Sequence, residues 1–96
     1  MSILQRFQLP GSVAIVTGSG RGIGRAIALA YAEAGADVIC SARSPEDIER
    51  VADEVRSLGR RALAIACDVN DSEQRQALVR QSQEHFGRIT HLVNNA

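Results

Sequence analysis

The chain has 96 residues, which suits one small domain, and its 45% hydrophobic and 23% charged residues are typical of a globular protein. Eleven basic residues balance eleven acidic ones, so we expect neither a nucleic-acid partner nor a membrane surface as partner. Every basic residue is an arginine, and the absence of lysine excludes Schiff-base chemistry and a P-loop lysine from these residues.

The two cysteines and the first ten residues bear on the cellular compartment. Cys40 and Cys67 lie in apolar runs and lack CxxC spacing, which predicts buried free thiols and no metal site. The opening segment MSILQRFQLP has no apolar stretch long enough for a signal peptide or a membrane span. We therefore expect a cytoplasmic protein.

The first strand and helix are separated by a glycine cluster. Residues 12–17, SVAIVT, form a continuous β-favouring run, which predicts a central strand covered on both faces. The following residues have helical spacing, and Gly35 is expected to end the helix. The spacing predicts that one apolar face is formed by Ile23, Ala26, Ile27, Ala30, Tyr31 and Ala34.

The second strand is predicted at 36–42, and a strong helix signal follows it. Ser44 is expected to be the N-cap, with Pro45 in the first helical position and Asp47 three residues after the cap. Glu46 and Arg50 have the spacing of an exposed ion pair. Gly59 is expected to close this helix.

The remaining residues continue the alternation of strand and helix. We predict a strand at 61–67, a helix from Asp71 to about Phe86, and a fourth strand at 89–93. The order β-α-β-α-β-α-β predicts an α/β fold with a doubly wound parallel sheet. Ligands of such sheets bind beyond the carboxyl ends of the strands, near the point where strand order reverses.

The segment TGSGRGIG, residues 17–24, joins the first strand to the first helix. Its glycines allow a tight turn and a close approach of the backbone to a ligand, and the N–H groups of the helix start favour a phosphate. A glycine-rich loop alone is a weak signal, but its place between a buried strand and an amphipathic helix strengthens the prediction of a nucleotide site.

Three motifs together resemble those of the short-chain dehydrogenase/reductase family. They are TGSGRGIG, then Asp68-Val69 after the third strand, then Asn94-Asn95-Ala96 after the fourth, in the family's order and separation. Thr90 stands where the family often has an aspartate, which puts one local polar contact in question. The resemblance implies that residues 1–96 are the N-terminal part of a Rossmann-type NAD(P)-binding domain, with a small alcohol or carbonyl compound as substrate and a homo-oligomer as the intact protein.

The resemblance also implies which residues contact the cofactor. The glycine loop would hold the pyrophosphate and the adjoining ribose, Asp68 and Val69 the adenine, and the residues after the fourth strand the ribose and nicotinamide. The expected set is Gly18, Ser19, Gly20, Arg21, Gly22, Ile23, Gly24, Arg43, Ser44, Asp68, Val69, Asn94, Asn95 and Ala96.

The end of the second strand predicts which cofactor is bound. An acidic residue there would bind the ribose hydroxyls of NAD, whereas an arginine accepts the 2′-phosphate of NADP. This chain has Ala42 followed by Arg43, and Arg21 in the glycine loop is within reach of the same phosphate. We therefore expect NADP, with NAD as the weaker alternative.

The family's catalytic serine, tyrosine and lysine all follow the NNAG motif, and this sequence stops at NNA. We expect that end to be a cut and the chain to be inactive alone, because Tyr31 is followed four residues later by Gly35 and not by lysine. Two alternatives stay open: a non-catalytic truncated nucleotide-binding or interaction module, and a methyltransferase-like domain. The second is disfavoured because such domains usually place an acid where Ala42-Arg43 stands.

Overall fold

The computed structural model describes residues 9–95, and its elements alternate in the predicted order. The elements are β1 (Val13–Thr17), α1 (Gly22–Glu33), β2 (Asp37–Ala42), α2 (Pro45–Ser57), β3 (Ala62–Ala66), α3 (Ser72–Phe86) and β4 (His91–Val93). The predicted fold class, a doubly wound parallel sheet of Rossmann type, is confirmed.

The four strands are parallel and lie in the order β3-β2-β1-β4. Strand β1 is central, as predicted, and all five of its residues are buried because neighbouring strands and both faces cover it. The chain moves outward from β1 to β3 and then returns to the other side of β1. Strand order therefore reverses between β1 and β4, which places the expected ligand crevice beyond Thr17.

Helices cover both faces of the sheet. Because side chains alternate along a strand, Val16, Val38 and Cys40 face α1 and α2, where they pack against residues such as Ala28 and Val51. On the other face the core cluster includes Val13, Ile15, Ile39 and Leu78, the last from α3. The two clusters together form the core.

Helix α2 has the clearest division between an apolar and a charged face. Its N-cap is Ser44, whose hydroxyl accepts a hydrogen bond of 3.4 Å from the Asp47 N–H, as predicted. The predicted pair of Glu46 with Arg50 is wrong. Arg50 binds the Asp47 carboxylate instead, with 3.2 Å between Nη2 and Oδ1, because the residue three positions earlier also lies on the same side of the helix.

The predicted apolar face of α1 is also wrong. The residues that α1 buries are Gly24, Ala28 and Ala32, while the Ile23 side chain is 74% exposed. Burial of the smallest residues lets the helix axis lie close to β1 and β2, whose own side chains fill the space between. Of the predicted face, Ile27 and Tyr31 pack only at the margin of this cluster.

Thr90 supplies the polar contact that the sequence left in question. Its hydroxyl accepts a hydrogen bond of 2.9 Å from the Val13 N–H and lies 3.1 Å from the Val13 carbonyl oxygen. The Thr90 N–H donates to the same carbonyl oxygen at 2.9 Å. A hydroxyl therefore joins the start of β4 to the start of β1.

Candidate functional site

A crevice of about 510 Å³ lies at the carboxyl ends of the strands, where strand order reverses. It is lined by residues from the β1–α1 loop, from the end of β2 and from the segment after β3. The residues of the expected set that line it are Gly18, Gly20, Arg21, Arg43, Ser44, Asp68, Val69 and Asn95. Eight of the expected residues are therefore brought together in one cavity.

The backbone of the glycine loop turns back on the first turn of α1. Gly18 and Gly22 have φ angles of +63° and +60°, in the left-handed region that glycine adopts without strain. A side chain at Gly24 would put its Cβ 1.9 Å from the Gly18 carbonyl oxygen. Gly22 and Gly24 are outside the lining of the crevice, and they shape the loop that forms its wall.

The N-terminus of α1 carries no negative charge of its own. Its N-cap is Arg21, which forms no side-chain cap hydrogen bond, and the first turn contains no acidic residue. The unpaired N–H groups of a first helical turn attract an anion. Since Arg21 also lines the crevice, this end of α1 favours a phosphate group.

The hydroxyl of Ser19 is directed into the protein. It accepts a hydrogen bond of 2.9 Å from the Ser41 N–H and lies 3.4 Å from the Ser41 carbonyl oxygen, and the Ser19 side chain is fully buried. The Ser19 N–H donates to the same carbonyl oxygen at 3.1 Å. Ser19 therefore fastens the glycine loop to β2, and any part it has in binding is through the shape of that loop.

Thr17 connects the glycine loop to the chain beyond β4, a role that the sequence reasoning missed. Its Oγ1 accepts a hydrogen bond of 3.0 Å from the Asn95 N–H. The same oxygen lies 3.2 Å from both the Val93 carbonyl oxygen and Asn94 Oδ1, so its one proton is shared between them. A threonine that ends a strand just before a glycine turn is the sequence signal that marks such a contact.

The end of β2 is basic. Arg43 is exposed, Ala42 is half-buried, and both line the crevice together with Arg21. Two arginines therefore line this end of the crevice. Planar guanidinium groups bind phosphate oxygens through two parallel hydrogen bonds.

The segment after β3 is held by hydrogen bonds that leave part of Asp68 facing the crevice. Asp68 Oδ1 accepts from the Asn70 N–H at 3.0 Å, and the Asp68 N–H donates to Gln74 Oε1 at 2.7 Å. Asp71 caps α3 by accepting from the N–H groups of Glu73 and Gln74. Asp68 is therefore positioned by a turn and a helix start as well as by the end of a strand.

The cavity differs from the expected set in both directions. Besides Gly22 and Gly24, the expected residues Ser19, Ile23 and Asn94 do not line it, and Ala96 lies outside the described residues. The cavity adds four residues that the expected set of cofactor contacts does not contain: Ala42, Asp47, Cys67 and Asn70. Asp47 was assigned only to the helix start, because a sequence pattern does not show which loop packs against that helix.

The two thiols are buried, as predicted, and burial raises the pKa of both. Burial raises the pKa of the Cys40 thiol to about 11. Burial, and secondly the charge of Asp68, raise the pKa of the Cys67 thiol. Both shifts reduce the thiolate fraction at neutral pH and so weaken each thiol as a nucleophile.

Two structural features are absent from residues 9–95. No helix there is long and apolar enough to cross a membrane. Within the same residues, no cluster of three or more histidine, cysteine, aspartate or glutamate side chains is arranged to hold a metal ion.

Comparison with known proteins agrees with this geometry. Residues 12–96 match the family model described as short chain dehydrogenase. An uncharacterized oxidoreductase of Mycobacterium tuberculosis is 44% identical over 97% of this chain and 35% of its own length. A versicolorin reductase of Emericella nidulans is 44% identical over 100% of this chain and 37% of its own length.

A solved structure has the same fold. The crystal structure of a hydroxysteroid dehydrogenase from Escherichia coli superposes with a TM-score of 0.92, at 38% identity, over 96% of this chain and 39% of that chain. The chain thus spans about a third of the length of the curated relatives that it matches. The family model, the relatives and the fold agree: the chain belongs to the short-chain dehydrogenase family.

Proposed function

We propose that this chain is the NADP(H)-binding part of a short-chain oxidoreductase that transfers hydride between NADP(H) and an alcohol or carbonyl substrate. The observation that carries the proposal is the basic end of β2, where Ala42 and Arg43 line one crevice with Arg21 and no carboxylate ends the strand. When it is bound, the cofactor would donate the hydride to a carbonyl group or accept it from an alcohol. The residues of this chain bind and orient it.

Each part of the crevice suits one part of the cofactor. The uncapped N-terminus of α1 and the glycine loop suit the pyrophosphate, since the helix end attracts anions. Asp68 and Val69 follow β3 and line the crevice, where the carboxylate would accept a hydrogen bond from the adenine amino group. Asn94, Asn95 and Ala96 are assigned to the ribose and nicotinamide side.

The choice of NADP follows from charge. A 2′-phosphate carries close to two negative charges, and an arginine meets it with two parallel donors. A charge-assisted hydrogen bond is typically worth about 1.5 to 3 kcal/mol, which corresponds to roughly a ten- to hundredfold change in affinity. Ala42 offers no carboxylate to repel the phosphate or to bind a free 2′-hydroxyl.

The properties of the whole protein are part of the same proposal. Because the chain spans about a third of its relatives, we place the catalytic serine, tyrosine and lysine in a longer protein that contains these residues. The relatives carry names as different as versicolorin reductase and 7alpha-hydroxysteroid dehydrogenase, so we keep the substrate class at small alcohols and carbonyl compounds. A homo-oligomer in the cytoplasm is proposed for the intact protein.

The test compares NADP(H) and NAD(H) binding by calorimetric titration in the parent and in Arg43→Ala. We expect the variant to lose roughly ten- to hundredfold in NADP(H) affinity and to keep its NAD(H) affinity. Arg80→Ala is the matched control, because it removes the same charge from an exposed position on α3 away from the crevice.

A second substitution reverses the charge at the same place. Ala42→Asp in the Arg43→Ala background should favour NAD(H), because the new carboxylate accepts from the ribose hydroxyls and opposes the phosphate. A parent that prefers NAD(H), or an Arg43→Ala variant that loses both cofactors equally, would contradict the proposal. Both titrations are made with this chain and with the longer protein that the proposal implies.

A further inference from the structure

Asp47 brings a carboxylate into a crevice that is otherwise basic at this end. It lies in the first turn of α2, lines the same cavity as Arg21 and Arg43, and its side chain is 29% exposed. A Cβ placed on Gly20 would lie 2.8 Å from the Asp47 Cβ and 3.7 Å from its Oδ2. The glycine loop therefore packs directly against Asp47, and Oδ2 lies on the side of that loop.

The other carboxylate oxygen is bound by Arg50. Asp47 Oδ1 lies 3.2 Å from Arg50 Nη2, and the Arg50 side chain is 67% exposed, so the guanidinium approaches from the solvent side. The two oxygens of one carboxylate thus face different surroundings. One faces the loop of the crevice and one is paired with a positive charge.

The electrostatic consequence concerns any anion bound beside Arg21 and Arg43. An unpaired carboxylate in the same cavity repels a phosphate and reduces what those two arginines contribute. A guanidinium paired with that carboxylate cancels much of its charge at short range. The pair is solvent-exposed on one side, so its effect is moderate and sensitive to salt.

We propose that the Asp47–Arg50 pair sets how strongly the crevice prefers a phosphorylated over an unphosphorylated adenosine ribose: Asp47 opposes a 2′-phosphate, and Arg50 suppresses that opposition. The proposal rests on the proposed function, since it concerns the same crevice. It adds two residues that determine specificity without belonging to the end of β2.

The test uses two fragments of the cofactor that differ only at the ribose, 2′,5′-ADP and 5′-AMP. Each is titrated calorimetrically against the parent, Asp47→Asn, Arg50→Gln, Arg50→Lys and the double variant. The matched control is Asp53→Asn, because Asp53 forms the same kind of pair with Arg56 at 2.8 Å on the same helix, outside the lining of the crevice. Circular dichroism verifies that each variant is folded.

At low salt we expect Arg50→Gln to reduce 2′,5′-ADP affinity about three- to tenfold. Asp47→Asn should raise it by a smaller factor, because Arg50 already cancels much of the carboxylate's charge in the parent. Arg50→Lys should stay near the parent, and 5′-AMP affinity should change little in every variant. In the Asp47→Asn background, Arg50→Gln should have no further effect, because the carboxylate that Arg50 neutralises is gone. Raising the salt concentration to ~500 mM should shrink these differences.

Four results would overturn the inference. If Arg50→Gln weakens 2′,5′-ADP equally with and without the Asp47 carboxylate, then Arg50 acts on the ligand by itself. If Asp47→Asn weakens 5′-AMP, then Asp47 binds a ribose hydroxyl and does not oppose a phosphate. If neither variant changes the ratio of the two affinities, or if Asp53→Asn changes it equally, the pair only stabilises the helix.

Failure of the proposed function gives a different result. A parent whose affinity for 5′-AMP equals its affinity for 2′,5′-ADP would contradict the preference for NADP. The inference on Asp47 and Arg50 would still be judged by the change in the affinity ratio among the variants.

Discussion

Two regions of the molecule contain equally apolar residues and bury them very differently. The packed region is β2 with α2, where the α2 residues Ile48, Val51, Ala52 and Val55 are each no more than 1% exposed. The open region is β4 with the outer face of α1, where the Ile23 side chain is 74% exposed and Leu92 is 65% exposed. Hydrophobicity alone therefore does not decide burial, because a side chain also needs a neighbouring element to pack against.

The same division runs through the crevice. Arg43, Ser44 and Asp47 stand at the end of the packed region, on elements fixed by the core. Asn94 and Asn95 follow the three residues of β4 and are tied to the rest mainly through Thr17. The adenosine side of the proposed site is thus built on a firm support, and the opposite side depends on a few hydrogen bonds.

The largest expected effect is on the free energy of unfolding when one aliphatic side chain is truncated in each region. Ile48→Ala should cost about 2 to 5 kcal/mol, because it removes buried methyl groups and leaves a cavity. Leu92→Ala should change stability by less than about 0.5 kcal/mol, as is usual at an exposed position. Urea titration followed by circular dichroism measures both free energies of unfolding. Equal losses would contradict the difference in packing between the two regions.

The next effect concerns the hydroxyl that joins the two regions. Thr17→Val keeps the shape of the side chain but leaves the Asn95 N–H and the Val93 carbonyl without their partner, which should cost about 1 to 2 kcal/mol. Hydrogen exchange at the Asn95 amide should accelerate more than exchange within α2. Thr90→Val is the control, because the Thr90 hydroxyl binds the Val13 backbone and not Asn95, so exchange at the Asn95 amide should stay near that of the parent.

The smallest expected effect is on how the free energy of unfolding depends on pH, through an ion pair that joins α1 to α2. Arg25 of α1 donates to Glu54 of α2, with Nε 3.0 Å from Oε1. This hydrogen bond, more than the charge itself, lowers the pKa of the Glu54 carboxyl below its usual range. The stability that the pair contributes is therefore present above the unfolded pKa of glutamate and is lost as pH falls through the lower folded value.

Glu54→Gln removes that titration. We expect the variant to be slightly less stable than the parent at neutral pH, and the difference should vanish in acid. The effect is small because both groups are exposed to solvent. Stability measured across the acid range by thermal melting checks the sign, and a difference that grows as the pH falls would contradict it.

Local signals predicted the elements well because each signal acts within a few residues. The N-caps Ser44 and Asp71 accept from the N–H groups of their own helix starts, as their positions indicated. The buried run of β1 predicted a central strand because only a strand covered on both faces is apolar at every position. The motifs that contain the glycine loop, Asp68 and Asn95 also predicted much of the lining of the crevice.

Patterns along the sequence were enough to predict the order of strands and helices, the parallel sheet, and the end of the sheet at which the motifs meet. The tertiary structure decided which side of α1 faces the sheet, that Ser19 is used for fastening, and that Asp47 lines the crevice with Arg50 bound to it. The difference lies in how far apart along the chain the interacting residues are. Caps, turns and periodicity act through neighbours along the chain, whereas these contacts join residues that only the packing of separate elements brings within a few ångströms.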